Sequence, residues 1–450
     1  MTDSNFPWPT QHAETLAERL SARSAHVAVV GLGYIGLPVA AALVRAGFRV
    51  LGVDNNVERV RELSRGETPL RHLGPDLVRE LLASGRFEVS ADAERLAEPD
   101  AVLLCVPTPL DDERRPDLSA VMRTSEALAA VARPGQLVVL ESTSWPGTTR
   151  DVLGARLAAS GLALGEELFV AFAPEREDPG RSEPPAREVP RVIGGLDDTS
   201  RELACLLYAQ LVDRVVPVSS AEVAESSKLL ENIYRAVNIA VVNEMKVLFT
   251  ALDLDVNEII DAAATKPFGF QVFRPGPGLG GHCIPVDPFY LAHRAREVGV
   301  PVPLVELAGA INRDMPSWVV QRTLAALEKH GVAVRGARVL VIGLAYKPDV
   351  DDVRESPSFV ILEQLAAHGV HVSYHDPHVP EMPGVRHARP PKLSSTPLDA
   401  ATLAAHDAVL VATAHSSIDW PLVGRHARLI VDTRGVFHGR DAEGASIEGA

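Results

Sequence analysis

The sequence predicts an α/β protein built from two doubly wound parallel-sheet domains that are joined by a long central helix. Two apolar strands run into glycine turns, "HVAVVGLGYIGLP" from His26 and "ARVLVIGLAYKPD" from Ala337, and each opens a series of alternating strands and helices. Such alternation is typical of a parallel sheet that is covered by helices on both faces. Between the two series, from about Ser219, apolar residues recur at three-, four- and seven-residue steps without a proline, which predicts one long helix.

Composition and charge narrow the classes of partner. The chain has 450 residues, 46% of them hydrophobic, which is enough for two or three domains with sizeable cores. The formal net charge of −15 argues against a nucleic-acid or anionic-membrane partner, since both require a basic face. The first 24 residues show no signal peptide, and no apolar run is long enough to span a bilayer. Three widely spaced cysteines are typical of a reducing compartment, so we expect a cytoplasmic protein.

The composition changes along the chain predict its domain boundaries. An N-terminal extension covers residues 1–24, and the first Rossmann-like domain covers 25–217. A central helical domain with a glycine-rich loop follows at 218–325, and a second, smaller Rossmann-like domain at 326–438. The polar, Gly/Ala-rich tail 439–450 is predicted to be disordered.

The first glycine turn matches the dinucleotide-binding pattern G-x-G-x-x-G. Gly31 and Gly33 permit a tight turn and the approach of a pyrophosphate, and Gly36 permits close packing of helix on strand. Asp54 ends the next strand 18 residues after Gly36, where a carboxylate accepts ribose hydroxyls and repels a 2′-phosphate. The alternative is a glycine-tolerant turn with a solvated aspartate. In this strand–turn–helix context we expect NAD, rather than NADP, as the cofactor.

Polar residues follow three further predicted strands. Thr108 lies in "CVPTP", Ser142 and Thr143 in "ESTSWPGT", and Glu175 in "FAPEREDPG". Because the carboxyl ends of parallel strands line the ligand crevice, these side chains are candidates for cofactor or substrate contacts. Taken singly, each hydroxyl is equally typical of a turn or cap, and Glu175 of an exposed loop.

The long helix carries two polar residues one turn apart. Lys228 and Asn232, in "SSKLLENIYRAVNIAVVNEM", share one face, with Leu229, Leu230 and Ile233 placed to pack nearby. A lysine and an amide that project together can stabilise an oxyanion. The alternative is an exposed polar stripe. The helix itself is a plausible dimerisation surface.

Cys283 stands in the rigid loop "RPGPGLGGHCIPVDPFY", with Asp287 four residues further on. A disulfide does not fit the compartment, and His282 with Cys283 offers only adjacent metal ligands. A structural cysteine usually lies in a helix or strand, whereas these glycines permit close backbone approach. Cys105, at the end of an apolar run, and Cys205, within "RELACLLYAQL", are expected to be packed small side chains. We therefore interpret Cys283 as a nucleophile in preference to a packed thiol.

A second group of metal-ligating residue types stands in "YHDPHVP", from Tyr374 to Pro380. Its two histidines and one aspartate have no partner cluster at ligand spacing elsewhere in the sequence. We interpret the stretch as a polar strand exit and predict no metal site.

With these motifs in order, the chain resembles the UDP-glucose/GDP-mannose dehydrogenase family. The resemblance runs from about His26 to Arg434. It rests on "VVGLGYIGLPVA", "CVPTP", "EST", "APERE", "KLLEN", "GGHCIPVD" and "GLAYKPDVDDVRESP". It implies two Rossmann-like domains, of which the second binds a UDP-sugar, and a homodimer or higher homo-oligomer.

The resemblance also implies the chemistry, a four-electron oxidation of a sugar C6 alcohol to a carboxylate with two NAD⁺. A water or carboxylate near Thr143 and Glu175 takes the alcohol proton. The Cys283 thiolate then adds to the aldehyde, and the thiohemiacetal yields a second hydride to leave a thioester. Asp287 or Glu175 orients the water that hydrolyses it, and Lys228 with Asn232 stabilises the oxyanions.

Further site residues come from the same resemblance. Around the cofactor it implies, beside the residues already named, Tyr34, Ile35, Val106 and Arg354, the last of which closes the cleft between domains. Around the substrate it implies Glu175, Arg176, Lys228, Asn232, Arg274, Gly280 and Lys347. Arg274 contacts the diphosphate, either within its own subunit or across a subunit boundary.

Within the family, "TKPFGF" and "FRPGPGLGGHCIPVDPFYL" are most similar to the members that oxidise UDP-N-acetylglucosamine. Members that act on UDP-glucose typically carry a lysine where this chain has Val286, and those that act on UDP-N-acetylmannosamine generally lack "TKPFGF". The expected product is an amino-uronate for a surface polysaccharide. The alternatives are a UDP-glucose or UDP-N-acetylmannosamine substrate, a two-electron alcohol dehydrogenase, and a nucleotide-binding protein without catalysis.

Overall fold

A computed structural model of the chain describes residues 6–68, 70, 73–111, 113–176, 186–281, 284–385, 388–440, 442 and 444–450. Its contacts divide the chain into two compact units. The first comprises Met1–Glu231 and Phe289–Val300, and the second Asn232–Pro288 and Pro301–Ala450. Cys283, the predicted nucleophile, and the adjacent His282 lie outside the described residues.

The first unit holds an eight-stranded sheet. Its strands are β1 (His26–Val30), β2 (Arg49–Val53), β3 (Phe87–Ser90), β4 (Ala101–Leu104), β5 (Gln136–Leu140), β6 (Leu168–Phe172), β7 (Arg191–Gly195) and β8 (Val215–Pro217). They lie in the order β3-β2-β1-β4-β5-β6-β7-β8. Neighbours are parallel except β6 and β7, which run antiparallel, so the predicted parallel sheet is interrupted at one pair.

Helices surround this sheet. In chain order they are α1 (Gln11–Ser21), α2 (Gly36–Ala46), α3 (Val57–Ser64), α4 (Leu77–Ala83), α5 (Ser119–Val131), α6 (Ala155–Leu157) and α7 (Asp198–Tyr208). Short 3₁₀ turns stand at Ala93–Ala97, Ala158–Ser160 and Ala186–Glu188, and a π-helix at Thr148–Gly154. The predicted long helix is α8 (Ala221–Ala251), which begins in the first unit and continues into the second.

The predicted N-terminal extension contributes to the core of the first unit. Thr10 caps α1 by accepting a hydrogen bond from the Ala13 amide, which satisfies one of the free donors of the first turn. Leu16 and Leu20 are buried in the same apolar cluster as β1 and α7. Burial of a leucine side chain contributes about 1.5–3 kcal/mol, so α1 stabilises this domain.

The second unit contains a five-stranded, fully parallel sheet. Its strands are β9 (Arg338–Ile342), β10 (His371–His375), β11 (Ala408–Val411), β12 (Leu429–Asp432) and β13 (Ser446–Gly449), in the order β10-β9-β11-β12-β13. Its helices are α9 (Val256–Ala264), α11 (Pro303–Lys329), α12 (Pro357–Ala367), α13 (Ala400–Ala404) and α14 (Trp420–His426). Helix α10 (Asp287–Glu297) begins in this unit and continues into the first.

Alternate residues of β9 show that both faces of this sheet are covered. Val339 and Val341 belong to one buried cluster, and Leu340 and Ile342 to another. Since successive side chains of a strand point to opposite faces, the two clusters lie on opposite sides of the sheet. The predicted α/β fold with two largely parallel sheets is confirmed, and β9 shows the doubly wound arrangement in the second unit.

Two expectations about local structure are wrong. The tail is not disordered throughout, because β13 pairs with β12 in parallel register from Leu429↔Ser446 to Asp432↔Gly449. Leu230 does not pack beside Leu229 and Ile233, since 69% of its surface is exposed while the other two are buried. Among the described residues, no helix combines the length and apolar character needed to cross a bilayer.

Candidate active site

The glycines of the first turn are required for two different reasons. A Cβ at Gly31, which has φ +90°, would lie 2.6 Å from the Cys105 carbonyl oxygen, and one at Gly36 would lie 1.8 Å from the Gly31 oxygen. Both positions therefore require glycine because any side chain there would overlap with the backbone of the protein itself. A Cβ at Gly33 would meet no protein atom within 4 Å, so that position leaves room for a ligand. This division matches the roles of the three glycines in dinucleotide binding.

The residues between these glycines form the start of α2. Ile35 is the N-cap of α2, and its side chain makes no capping hydrogen bond, so the first N–H groups of the helix are not capped by a side chain. Such N–H groups bind phosphate. Tyr34 and Ile35 pack, partly buried, against the core of the first unit. Their predicted cofactor role therefore falls mainly on the backbone.

Asp54 lies beside the glycine turn, as predicted. Its Oδ2 accepts the Leu32 amide at 2.8 Å and its Oδ1 accepts the Asn56 amide at 2.9 Å. Each carboxylate oxygen has a further lone pair, so Asp54 can accept ribose hydroxyls while it holds the turn. The side chain is half-buried and reaches solvent. The residues present thus fit a dinucleotide.

The predicted polar residues after β4 and β5, which are Thr108, Ser142 and Thr143, are all buried, but they make different contacts. The Ser142 hydroxyl is within hydrogen-bond distance of the carbonyl oxygens of Leu104, at 3.1 Å, and Val106, at 2.7 Å. It therefore joins the ends of the two strands. The Tyr290 hydroxyl donates a hydrogen bond to the backbone carbonyl oxygen of Thr108 at 3.1 Å. Thr143 is 3% exposed.

Glu175 is not an exposed loop carboxylate. Its Oε2 lies 3.0 Å from Nη1 of Arg191, and its Oε1 accepts the Arg176 amide at 2.6 Å. Arg191 stands at the start of β7, 4.0 Å from Glu141, whose other oxygen accepts the Tyr208 hydroxyl. Sequence reasoning missed this buried network. Its one signal was an arginine in an otherwise apolar strand, because a buried charge requires a partner.

Arg176, predicted to contact the substrate, is engaged by the protein itself. Its guanidinium contacts both oxygens of Glu231, at 3.2 and 2.7 Å, and donates to the Pro190 carbonyl oxygen at 2.7 Å. This pairing attaches the loop after β6 to α8. Lys228, one turn before Asn232 on α8, is 4% exposed.

Asn232 and Asp287 meet inside the second unit. The Asn232 amide Nδ2 donates to Oδ2 of Asp287 at 2.6 Å, and both side chains are buried. Asp287 begins α10 and stands four residues after Cys283. The structure therefore joins two predicted catalytic residues that are 55 positions apart.

Glu225 is a further buried carboxylate on α8 that sequence reasoning missed. Its Oε2 accepts the Gly147 amide at 2.6 Å, and its Oε1 accepts the Thr149 amide at 2.8 Å and the Thr149 hydroxyl at 2.7 Å. Ser144 lies 3.3 Å from the same Oε1. Burial raises the pKa of Glu225 to about 7, although these hydrogen bonds act in the opposite direction. Glu225 thus holds the segment that follows Thr143.

The glycine-rich loop packs on the second unit's own residues. Cβ atoms at Gly280 and Gly281 would lie 2.4 and 2.9 Å from the Tyr346 side chain, and a Cβ at Gly276 would lie 2.5 Å from the Arg434 guanidinium. The Gly281 amide donates to the Arg354 carbonyl oxygen at 2.8 Å. These glycines are required because the loop lies against the segment after β9 and, at Gly276, against Arg434 after β12. The implied contact of Gly280 with the substrate stays a prediction.

Three predicted cations of the second unit have intramolecular contacts. The Arg354 guanidinium contacts both oxygens of Asp352, at 2.6 to 3.1 Å. Arg274 is paired with Asp261 near the surface. The Lys347 Nζ lies 5.7 Å from the centre of the Tyr346 ring. A role of these groups towards a diphosphate or cofactor requires that the ligand compete with or extend these contacts.

Cys105 and Cys205 are packed thiols, as predicted. Both are buried and unpaired. Burial raises the pKa of the Cys105 thiol well above its usual value, and it raises the pKa of Cys205 to about 12. Neither thiol is therefore available as a thiolate near neutral pH.

Comparison with known proteins decides the family. Three sequence models of the UDP-glucose/GDP-mannose dehydrogenase family match the chain. The NAD binding domain matches residues 25–212, the central domain 222–314 and the UDP binding domain 340–439. The chain belongs to the UDP-glucose/GDP-mannose dehydrogenase family.

Individual relatives of this dehydrogenase span nearly its whole length. The protein CapL of Staphylococcus aureus is 38% identical over 78% of this chain and 82% of its own. The UDP-N-acetyl-D-glucosamine 6-dehydrogenase of Pseudomonas aeruginosa is 34% identical over 87% and 90%. The solved structure of a UDP-D-ManNAc dehydrogenase from Pyrococcus horikoshii matches with a TM-score of 0.84 at 32% identity, and covers 94% of this chain and 98% of that one.

The family membership establishes the coarse function. This chain is an NAD-dependent UDP-sugar dehydrogenase, an oxidoreductase whose first domain binds NAD and whose C-terminal domain binds the UDP moiety. The predictions of family, enzyme class and cofactor are confirmed.

Proposed function

We propose that this dehydrogenase oxidises the C6 alcohol of a UDP-N-acetylhexosamine, with UDP-N-acetylglucosamine as the preferred substrate, to the corresponding uronate. NAD⁺, held by the glycine turn and Asp54, would supply the oxidant for both two-electron steps, in which the alcohol and then the cysteine adduct each give up a hydride. The Cys283 thiolate attacks the aldehyde and later leaves the thioester, and water supplies the second carboxylate oxygen. The product is an amino-uronate nucleotide, an activated unit for a surface polysaccharide.

The hydrogen bond between Asn232 and Asp287 carries this proposal. It holds a buried carboxylate four residues beyond Cys283 in the sequence, and a fixed carboxylate of this kind can orient a hydrolytic water. The Asn232 amide retains an oxygen, and its second N–H can donate to an oxyanion. A two-electron dehydrogenase would need neither the thiol nor a group for thioester hydrolysis.

The assignment of Cys283 as nucleophile is supported by the chemistry of the other two thiols. Cys105 and Cys205 are buried, and their raised pKa values keep them protonated. The carboxylate of Glu175, near which the alcohol proton is expected to be taken up, is held by Arg191 at 3.0 Å. Lys228 is proposed to stabilise the oxyanions.

The substrate preference rests on one residue beside the predicted nucleophile and on the relatives. Val286, buried to 6% exposure, brings no cation to the position where UDP-glucose members typically carry lysine. Similar proteins are named for UDP-N-acetyl-D-glucosamine and for UDP-N-acetyl-D-mannosamine. We therefore rank UDP-N-acetylglucosamine first, UDP-N-acetylmannosamine second and UDP-glucose third.

NADH production with these three sugar nucleotides and UDP-N-acetylgalactosamine tests the substrate. We expect the highest kcat/KM with UDP-N-acetylglucosamine and two NADH per sugar consumed. Production of only one NADH per sugar, with release of free aldehyde, would refute the thioester mechanism. Binding without turnover of any member of the panel would favour a nucleotide-binding protein that has lost catalysis.

The nucleophile is tested by Cys283→Ser, with Cys205→Ala as the matched removal of a buried thiol. We expect Cys283→Ser to abolish net turnover and to lose iodoacetamide sensitivity, while Cys205→Ala keeps two NADH per sugar. Full activity of Cys283→Ser would refute the assignment.

We also propose that the enzyme is a dimer through α8. Exposed apolar side chains recur on this helix at four- and seven-residue steps, at Val223, Leu230, Tyr234, Val241 and Leu248. Exposed apolar stripes of this kind are typical of helix–helix association. Light scattering of Leu230→Glu should show a shift towards monomer, whereas Arg235→Gln, at an exposed charge of α8 away from the apolar stripe, should leave the mass unchanged. A monomeric wild type would contradict the proposal.

A further inference from the structure

Three chain segments bring metal-ligating side chains together in the second unit. Asp349 follows β9, His378 follows β10 and His415 follows β11, which are neighbours in the order β10-β9-β11. Their ligand atoms all lie within 4.8 Å of one another. The carboxyl ends of adjacent parallel strands meet at one edge of a sheet, which explains the meeting of residues that are far apart in sequence.

The distances approach those of a metal site. Oδ1 of Asp349 lies 3.9 Å from Nε2 of His378 and 3.9 Å from Nδ1 of His415. With metal–ligand bonds of about 2.0–2.2 Å, ligand atoms on a tetrahedral ion lie roughly 3.3–3.6 Å apart. The two distances from Asp349 therefore have to shorten by about half an ångström, and the distance between the two histidine nitrogens, which lie within 4.8 Å, by up to about 1.5 Å. Asp349 is exposed and His378 partly exposed, so their side chains can make this adjustment.

The tautomer of His415 is set from outside the cluster. Nε2 of this fully buried histidine lies 3.1 Å from Oδ2 of Asp376, and a carboxylate accepts only, so Nε2 carries the proton. Nδ1 therefore presents its lone pair, and it accepts the Asp349 amide at 3.0 Å. A carboxylate behind the far nitrogen of a histidine is the arrangement that orients metal ligands.

Asp376 is itself held rigidly. Its Oδ2 accepts the amides of Leu344 and Ala345 at 2.7 and 2.9 Å, and its Oδ1 accepts the amide of His378 at 2.8 Å. The same carboxylate therefore fixes the ring of one histidine and the backbone of the other. Both histidines are positioned before any ion arrives.

His378 has a buried ring nitrogen that faces the cluster without a hydrogen bond to any described residue. Its Nε2 is a buried atom that has no hydrogen-bond partner among the described residues. The rings of His378 and His415 lie 5.0 Å apart, centre to centre. A buried polar atom without a partner is destabilising, and a metal ion at this position satisfies it.

We propose that Asp349, His378 and His415 bind a divalent transition-metal ion of the zinc class and that the ion ties together the loops after β9, β10 and β11. Two imidazole nitrogens and one carboxylate oxygen favour zinc over calcium or magnesium, which prefer all-oxygen sites. The ion replaces the hydrogen bond between the Asp349 amide and His415, and it leaves a fourth position for water. The site does not depend on the sugar chemistry proposed above.

Metal titration of the full-length chain tests the site. After treatment with a chelator, we expect one Zn²⁺ per chain by calorimetry and by elemental analysis, and a rise in thermal midpoint on its addition. Co²⁺ in the same site should show visible d–d bands without a thiolate-to-cobalt charge-transfer band, which separates it from binding by a cysteine.

Two exposed or half-exposed ligands provide the variants. We expect His378→Gln and Asp349→Asn each to weaken Zn²⁺ more than about 100-fold, since loss of even an outer-shell partner costs about 10–100-fold. His371→Gln, at an exposed histidine that begins β10, should bind as the wild type does. Absence of a bound ion, or equal binding by wild type, His378→Gln and Asp349→Asn, would overturn the proposal.

Discussion

Nη1 of Arg191 lies 3.0 Å from Oε2 of Glu175, and both side chains are at most 10% exposed. Arg191 also stacks over the Tyr208 ring, with 5.5 Å from its guanidinium carbon to the ring centre. Glu175 is thus a fixed carboxylate at the end of β6, in the unit that holds the cofactor domain. The proposed role of Glu175 in proton transfer requires a carboxylate that is fixed in this way.

Removal of Arg191 should lower kcat/KM because Glu175 loses the ion pair that fixes its side chain. We expect a fall of about 10²-fold or more in Arg191→Met, since a positioned general acid or base contributes about 10²–10⁴-fold. Arg187→Met, which breaks the exposed pair with Asp213, serves as the control and should leave kcat/KM unchanged. Wild-type kcat/KM in Arg191→Met would contradict a catalytic role of the fixed Glu175 carboxylate.

Asn232→Ala should lower kcat more than it raises KM. Loss of one oxyanion donor costs about 10²–10³ in kcat, and the carboxylate of Asp287 also loses its 2.6 Å partner. Asn238→Ala removes an amide of the same helix that bonds the Tyr234 carbonyl oxygen, and it should be nearly silent. Steady-state kinetics with both cofactor and sugar varied measure the split. A change confined to KM would assign Asn232 to substrate binding alone.

Asp54→Asn should relax the preference for NAD over NADP. The amide keeps an acceptor for the Leu32 or Asn56 N–H but no longer repels a 2′-phosphate. We expect the KM for NAD to rise by about tenfold, equivalent to about 1.4 kcal/mol, and the discrimination against NADP to fall. Asp92→Asn, at a carboxylate that caps a 3₁₀ turn after β3, is the matched control. Unchanged KM values for both cofactors would contradict the ribose assignment.

Glu225 should make stability fall as pH rises. Its pKa is about 7 in the folded chain against 4.5 in an unfolded one, so the unfolded chain ionises first between these values. The free energy of unfolding should then drop by about 3 kcal/mol from pH 4.5 to pH 7 and become flat above, as far as this residue is concerned.

The measurement compares thermal midpoints across this pH range. Glu225→Gln has no proton to lose, so its midpoint relative to the wild type should improve as the pH rises. Glu244→Gln, at an exposed residue of the same helix, should track the wild type. A constant difference between wild type and Glu225→Gln would show that Glu225 is ionised in the folded chain throughout the range.

Much of the fold follows from the sequence because its signals are local. The apolar runs that became β1, β4, β5, β6 and β9 and the 3.6-residue pattern of α8 each depend on near neighbours. The glycine turn and Asp54 are separated by a single helix and strand, so spacing alone places them together. The tail was predicted wrongly because a short polar edge strand, β13, owes its structure to pairing with β12 and not to its own composition.

The candidate site likewise contains residues that local sequence predicts and residues whose contacts depend on the tertiary structure. Gly31, Gly33, Gly36 and Asp54 are determined by the sequence itself, since their motif is continuous along the chain. Only the tertiary structure decided three other groups of contacts. They are the buried network of Glu141, Glu175, Arg191 and Tyr208, the hydrogen bonds from the start of the π-helix to Glu225, and the cluster of Asp349, His378 and His415. Each joins segments that are distant in the chain, and a buried polar side chain is understood only with the partners that satisfy it. The glycines before Cys283 combine the two cases. The sequence predicts that another group comes close to the backbone there, and the tertiary structure shows that these groups are the side chains of Tyr346 and Arg434.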